Sequence, residues 1–326
     1  DQVFIKNKKA PFHFGEKDSI LGQPLIIDID KHTNTVTIHY RTGPKAKALQ
    51  WLRPNQTAGN IHPFLFTQSQ AILARTWLPC QDSPGVRFTY SAKVKVPNDL
   101  LAVMSAENPT DKLGDGLYKF NMKQAVPAYL MALGVGDIVF QPIGEQTGVY
   151  AEPSVIEKAS FEFSETQKML AIAENMYGTY AWDRFDLLVL PPSFPFGGME
   201  NPRLTFVTPT ILAGDRSLTS LIAHELAHSW SGNLVTNKTW DDFWLNEGFT
   251  VYFERRIMEQ LEGRDYVDML SLLGKQDLEN EVETLGHDHK DTHLKLNLTG
   301  RDPDDGLTDI AYEKGFFLLR LIEETV

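Results

Sequence analysis

The chain has 326 residues, long enough for two domains with separate cores, and its 42% hydrophobic and 23% charged content is that of a globular protein and excludes a disordered or fibrous one. A formal net charge of -12 and a pI of about 5.2 exclude nucleic acid as an expected partner, and no apolar run is long enough to suggest a membrane-spanning helix, so no membrane partner is expected. The single cysteine, Cys80 in Leu78-Pro79-Cys80-Gln81, excludes an internal disulfide and a Cys-rich metal site and reads as an inert core thiol.

There is no initiator Met, and the opening Asp1-Gln2-Val3-Phe4-Ile5 is already strand-like, so the chain is expected to start mid-protein. The only basic cluster, Lys6 to Lys9, reads as a solvated turn. Residues 24–29 and 35–40 flank a turn-like 30–34 and predict a hairpin. Further strands are expected over 86–96, 102–106 and 117–122, with Pro, Gly and Asn between them, so that residues 1–142 form an antiparallel β domain. From residue 143 helices are expected to dominate. Ser164 and Gln167 stand at capping-box spacing at the head of a helix that closes on Gly178. Residues 185–190 read as a half-buried strand, 191–202 are rich in Pro and Gly, and helices are expected over 217–232 and 241–249. Residues 315–326 form an apolar helical run with no cap or breaker, so truncation is expected at this end as well. Low cysteine use fits a reducing compartment, and a cytoplasmic setting is expected with export left open.

The chemistry concentrates in His224-Glu225-Leu226-Ala227-His228. Histidines at i and i+4 stack on one helix face, so both imidazoles can reach one Zn²⁺ while Glu225 lies beside them. The apolar flanks Leu221-Ile222-Ala223 leave this helix little solvated surface, and buried His and Glu side chains need partners that a metal supplies. A catalytic zinc keeps three protein ligands, which calls for one more. Glu247, among Trp244, Leu245, Phe249 and Val251, is placed to be that ligand. Two neutral imidazoles and a carboxylate leave a net positive site able to activate water, with Glu225 as the proton acceptor in amide hydrolysis.

His-Glu-Leu-Ala-His followed by Asn246-Glu247-Gly248-Phe249 resembles the gluzincin aminopeptidases, the family of aminopeptidase N and leukotriene A(4) hydrolase. Gly197-Gly198-Met199-Glu200-Asn201 matches that family's exopeptidase motif, which implies that Glu200 holds the substrate's free α-ammonium while Gly197, Gly198 and Met199 offer an extended edge to its backbone. Tyr312, in Tyr312-Glu313-Lys314-Gly315, takes the position of the family's oxyanion donor, and Gln70 that of a β-domain glutamine that helps bind the amine. The likeness is greatest to the leukotriene A(4) hydrolase branch and its bacterial members, through residues 201–209 and 234–240, and it runs over nearly the whole chain. Asp304 falls where that branch carries the aspartate assigned to epoxide hydrolysis, while Leu307 and Phe196 replace tyrosines of its lipid pocket.

The resemblance implies an α+β multidomain fold: a truncated β-rich N-terminal domain (1–142), a truncated thermolysin-like catalytic domain (143–326), and absence of the family's helical C-terminal domain. It implies an aminopeptidase with one zinc per chain and peptides with a free N-terminal amine as substrates. Two other readings are a bifunctional epoxide hydrolase and aminopeptidase, and a non-catalytic binding module that keeps the fold.

Overall fold

The computed structural model describes residues 2–326, so Asp1 of the expected opening strand lies outside the described residues. β1 (Gln2–Ile5) and β2 (Lys8–Ala10) pair around Lys6 and Asn7, both at positive φ, which makes the basic cluster an exposed turn. β3 (Phe12–Phe14), β4 (Leu25–Ile27) and β5 (Thr37–His39) follow. The expected hairpin of 24–29 with 35–40 is not formed. β4 pairs with β3, Phe12 opposite Ile27, and β5 pairs with β1, Val3 opposite Ile38. Asp30 explains the difference: its carboxylate accepts the His32 N–H at 2.7 Å and its carbonyl the Thr33 N–H at 3.0 Å. That local turn satisfies its own backbone and hands each strand to a different partner.

The rest of the β region comprises β6 (Leu49–Leu52), β7 (Phe64–Thr67), β8 (Arg87–Lys95), β9 (Leu101–Met104), β10 (Leu117–Pro127) and β11 (Leu133–Gly136). One antiparallel sheet runs β6-β7-β11-β9, and β8 with β10 forms a ribbon. Strict alternation along β8 leaves that ribbon one wet face, whereas β7, β9 and β11 are buried throughout.

A five-stranded sheet of order β12-β13-β14-β16-β15 follows, built from β12 (Val139–Pro142), β13 (Thr147–Ala151), β14 (Phe185–Val189), β15 (Gly198–Met199) and β16 (Thr205–Val207). β12 lies just ahead of residue 143 yet pairs with β13. The crossover from β13 to its parallel neighbour β14 is made by α1 (Ile156–Glu162) and α2 (Thr166–Tyr177). α3 (Ser220–Ala227), α4 (Trp244–Glu262), α5 (Arg264–Leu285) and α6 (Gly315–Thr325) complete the chain, α4 packing on α3, α5 and α6.

Three local expectations are corrected here. No capping box forms at α2: Ser164 Oγ donates to the Phe161 carbonyl and Gln167 Oε1 accepts the Gln146 N–H, because the end of α1 supplies the first acceptor of α2 through the Phe163 carbonyl. β14 is buried along its whole length rather than half-buried, since parallel strands flank it on both sides. The helix expected over 217–232 ends at Ala227, where the Asn233 N–H folds back onto the His228 carbonyl at 3.0 Å.

The two expected cores are one. A single apolar cluster runs from Phe66 and Tyr129 of the β region through Leu187 and Phe206 to Leu226 and Ile257. Edge-to-face contacts of Phe66 with Phe194 (5.8 Å) and Tyr129 with Trp240 (5.1 Å) join the regions. Cys80 is half-buried rather than a core thiol, and burial pushes its pKa up to about 11, which keeps it unreactive at neutral pH. No helix among the described residues is long and apolar enough to cross a membrane.

Candidate metal and active site

α3 and α4 pack side by side and bring three donors to one point. His228 caps the end of α3 at φ -56°, ψ -22°, still helical, so its ring remains beside that of His224, edge-to-face with a centroid distance of 4.7 Å. His224 Nε2 and His228 Nε2 are 3.1 Å apart, and Glu247 Oε2 lies 3.3 Å from the first and 3.5 Å from the second. Ligands at the usual 2.0–2.1 Å from a tetrahedral zinc stand about 3.4 Å from one another, so these edges fit the ion.

The surrounding bonds fix which nitrogens are available. His224 Nδ1 faces the Glu254 carboxylate at 3.0 Å, and His228 Nδ1 faces the Ser231 carbonyl at 3.1 Å. Both partners are acceptors, so in the neutral rings that a metal binds both Nδ1 atoms carry the proton and both Nε2 atoms present lone pairs. Two imidazole lone pairs and a carboxylate oxygen converge where one proton cannot satisfy all three. A divalent cation can, and the donor set of two His and one Glu suits zinc.

Electrostatics reflect the same crowding. Burial disfavours charge on His224, but the Glu247 and Glu254 carboxylates outweigh it and hold its pKa well above that of free imidazole. Burial takes His228 down to about 4. Glu247 is buried, yet His228 and His224 keep its pKa below the ordinary glutamate value. Glu225 is pushed up to about 8, chiefly by burial. Glu200 rises well above the carboxylate range through burial and the nearby charges of Glu247 and Glu225. Glu200 Oε1 and Glu225 Oε2 are buried without a partner.

Gly198 in the edge strand β15 passes directly over Glu225, and a Cβ there would overlap that carboxylate. Tyr312 sits in one π-helical turn, Ile310–Lys314, its ring nearly parallel to that of His224 with centroids 6.2 Å apart. Burial and the carboxylates of Glu247, Glu200 and Glu225 raise its hydroxyl pKa well above that of free tyrosine, keeping it a donor.

A cleft of about 470 Å³ opens onto these groups. Of the residues singled out from sequence, Gln70, Gly197, Gly198, Glu200, His224, Glu225, His228, Glu247 and Tyr312 line it, together with Phe196 and Leu307. Met199 and Asp304 are not among the lining residues: Met199 is buried with its sulfur 3.4 Å from Gln68 Nε2, and Asp304 accepts the Ala71 N–H at 3.3 Å. Glu254, which faces His224 Nδ1, and Thr250, whose Oγ1 lies 3.1 Å from His228 Nδ1, were not singled out from sequence. Their signal was present, since Glu247, Thr250 and Glu254 recur at i, i+3 and i+7 and so share one face of α4. Glu254→Ala should weaken zinc binding about 10- to 100-fold while His224, His228 and Glu247 remain. Chelator competition measures this, and unchanged affinity would show that Glu254 does not orient His224.

Residues 161–326 match the peptidase family M1 domain and residues 1–130 the peptidase M1 N-terminal domain. Leukotriene A-4 hydrolase of Xenopus laevis is 47% identical over 333 residues, covering 99% of this chain and 55% of that protein. Human aminopeptidase B is 45% identical over 293 residues, covering 89% of this chain and 45% of its own length. The structure of yeast leukotriene A4 hydrolase in complex with bestatin superposes with a TM-score of 0.94 at 41% identity, over 99% of this chain and 52% of that one. The chain thus spans about half the length of the relatives it matches. Its two matched domains, the relatives it resembles over nearly its whole length and this shared architecture together place the chain in peptidase family M1, the gluzincin aminopeptidase family.

Proposed function

We propose that this chain carries the centre of a zinc-dependent aminopeptidase that removes the N-terminal residue of peptides. The observation that carries the reading is Glu200: a buried carboxylate with an unpartnered oxygen, 4% exposed, whose oxygen lies within 4.8 Å of donor atoms of Glu225 and His228. A buried carboxylate lacking a partner calls for a cation, and in a cleft beside a hydrolytic centre a substrate ammonium supplies it.

His224, His228 and Glu247 would hold the zinc. When bound, the metal supplies Lewis acidity toward water and the scissile carbonyl. Glu225 takes a proton from the attacking water and returns it to the leaving amine, a task suited to a carboxylate whose pKa burial has brought near neutrality. Tyr312 donates its hydroxyl to the oxygen on which charge develops. Gln70 joins Glu200 at the amine, and Gly197 and Gly198 let the substrate backbone lie against the sheet edge. The complete set of ligands and their supporting partners favours catalysis over a binding module. Asp304, held at Ala71 next to Gln70, carries no step of this reaction.

The test compares an aminoacyl arylamide with its N-acetylated form on the full-length zinc enzyme. Acetylation should lower kcat/KM about 100-fold or more, because it leaves the Glu200 carboxylate buried against a neutral group. Ready cleavage of the blocked substrate would make the enzyme an endopeptidase, and no cleavage of either by zinc-loaded protein would end the peptidase reading.

A further inference from the structure

Arg87 opens β8 in the β region, but its guanidinium reaches across to the other half of the molecule. Nη1 donates to Thr236 Oγ1, and Nη2 donates to the carbonyls of Asn233 at 2.8 Å and Ala125 at 2.6 Å. The junction is close: a Cβ on Gly85 would press against the Lys238 carbonyl.

The gripped turn, residues 228–236, is where three parts of the site are tied together. Asn233 donates its N–H to the His228 carbonyl at 3.0 Å and its Nδ2 to the Glu200 carbonyl at 2.8 Å. The Ser231 carbonyl accepts from His228 Nδ1 at 3.1 Å, and Ser231 Oγ donates to the Asn246 carbonyl at 2.9 Å, one residue before Glu247. Thr236 Oγ1, accepting from Arg87, donates in turn to the Gly232 carbonyl. Asn233 is 2% exposed, so it has little room to find another arrangement. Asn233 is therefore bonded to Arg87 through its own carbonyl and to Glu200 through its amide.

We propose that Arg87 is a positioning residue for amine recognition: from the β region it fixes the 228–236 turn and, through Asn233, sets the Glu200 backbone relative to the metal ligands. The proposal rests on Glu200 as the partner of the substrate ammonium. Three acceptors around one planar fork suit a guanidinium and not a lysine ammonium. Displacement of a positioned group by about 1 Å can cost about two orders of magnitude in rate or affinity, so a contact outside the cleft can govern binding inside it.

The experiment uses the full-length zinc enzyme and its variants Arg87→Met, Arg87→Lys, Asn233→Ala and Arg87→Met with Asn233→Ala. Steady-state kinetics on an aminoacyl arylamide are paired with calorimetric binding of two hydroxamates that differ only in an α-amine. In Arg87→Met, KM should rise about tenfold with a smaller change in kcat, and the amine-bearing hydroxamate should weaken in parallel while the amine-free one holds. Arg87→Lys should recover part of the loss, and it carries the comparison if Arg87→Met does not fold. The double variant should be no worse than Asn233→Ala alone. Equal weakening of both hydroxamates, no change in either, or additive losses in the double variant would overturn the proposal. A wild-type enzyme that does not prefer the amine-bearing hydroxamate would overturn the Glu200 reading before any variant is compared.

Discussion

Glu225→Gln is expected to lower kcat about a thousandfold while the protein retains its zinc. The amide occupies the same space, so contact with Gly198 and the packing of α3 survive. What disappears is the acceptor, because the buried Glu225 Oε2 has no partner in the protein and is the oxygen available to take a proton. Metal analysis alongside initial rates separates the two properties. Substantial turnover by a zinc-loaded Glu225→Gln enzyme would remove Glu225 as the base.

Glu247→Ala should behave differently, losing zinc and activity together. The two imidazoles would remain 3.1 Å apart, but the Glu247 carboxylate, 3% exposed, whose charge would compensate a bound cation, would be gone. The expected loss of affinity exceeds the 10- to 100-fold typical of an outer partner such as Glu254. Zinc titration against a competing chelator reads it directly. Retention of stoichiometric zinc would point to the neighbouring set of Glu200, Glu225 and His228, whose donor atoms also lie within 4.8 Å of one another, as the metal site. Geometry favours Glu247, since its oxygen faces both imidazole nitrogens at 3.3 and 3.5 Å.

How much could be read in advance depended on whether a feature is periodic. His224 and His228 are one helical turn apart, and that spacing alone places both rings on one side. Glu254 was readable on the same principle, two turns beyond Glu247, but nothing in a linear pattern marks which acid turns toward a histidine of another helix. The β4 and β5 pairing failed for a related reason. Each strand looked competent, but its partner was chosen by a turn at Asp30 and by strands earlier in the chain. The helix end at Ala227 depended on the return of Asn233 onto His228, a contact that no cap residue announces.

By itself the sequence determined the donor types, the helical spacing of the two histidines, the order of the motifs and the change from strands to a mixed helical region, because all of these are local or follow from residue chemistry. The tertiary structure alone decided that the two regions share one core, that Glu254 and the Ser231 carbonyl face the Nδ1 atoms of His224 and His228, and that Arg87 reaches the turn that follows His228. Those are contacts between residues far apart in the chain, and their energies depend on burial and direction, which exist only once the chain has folded.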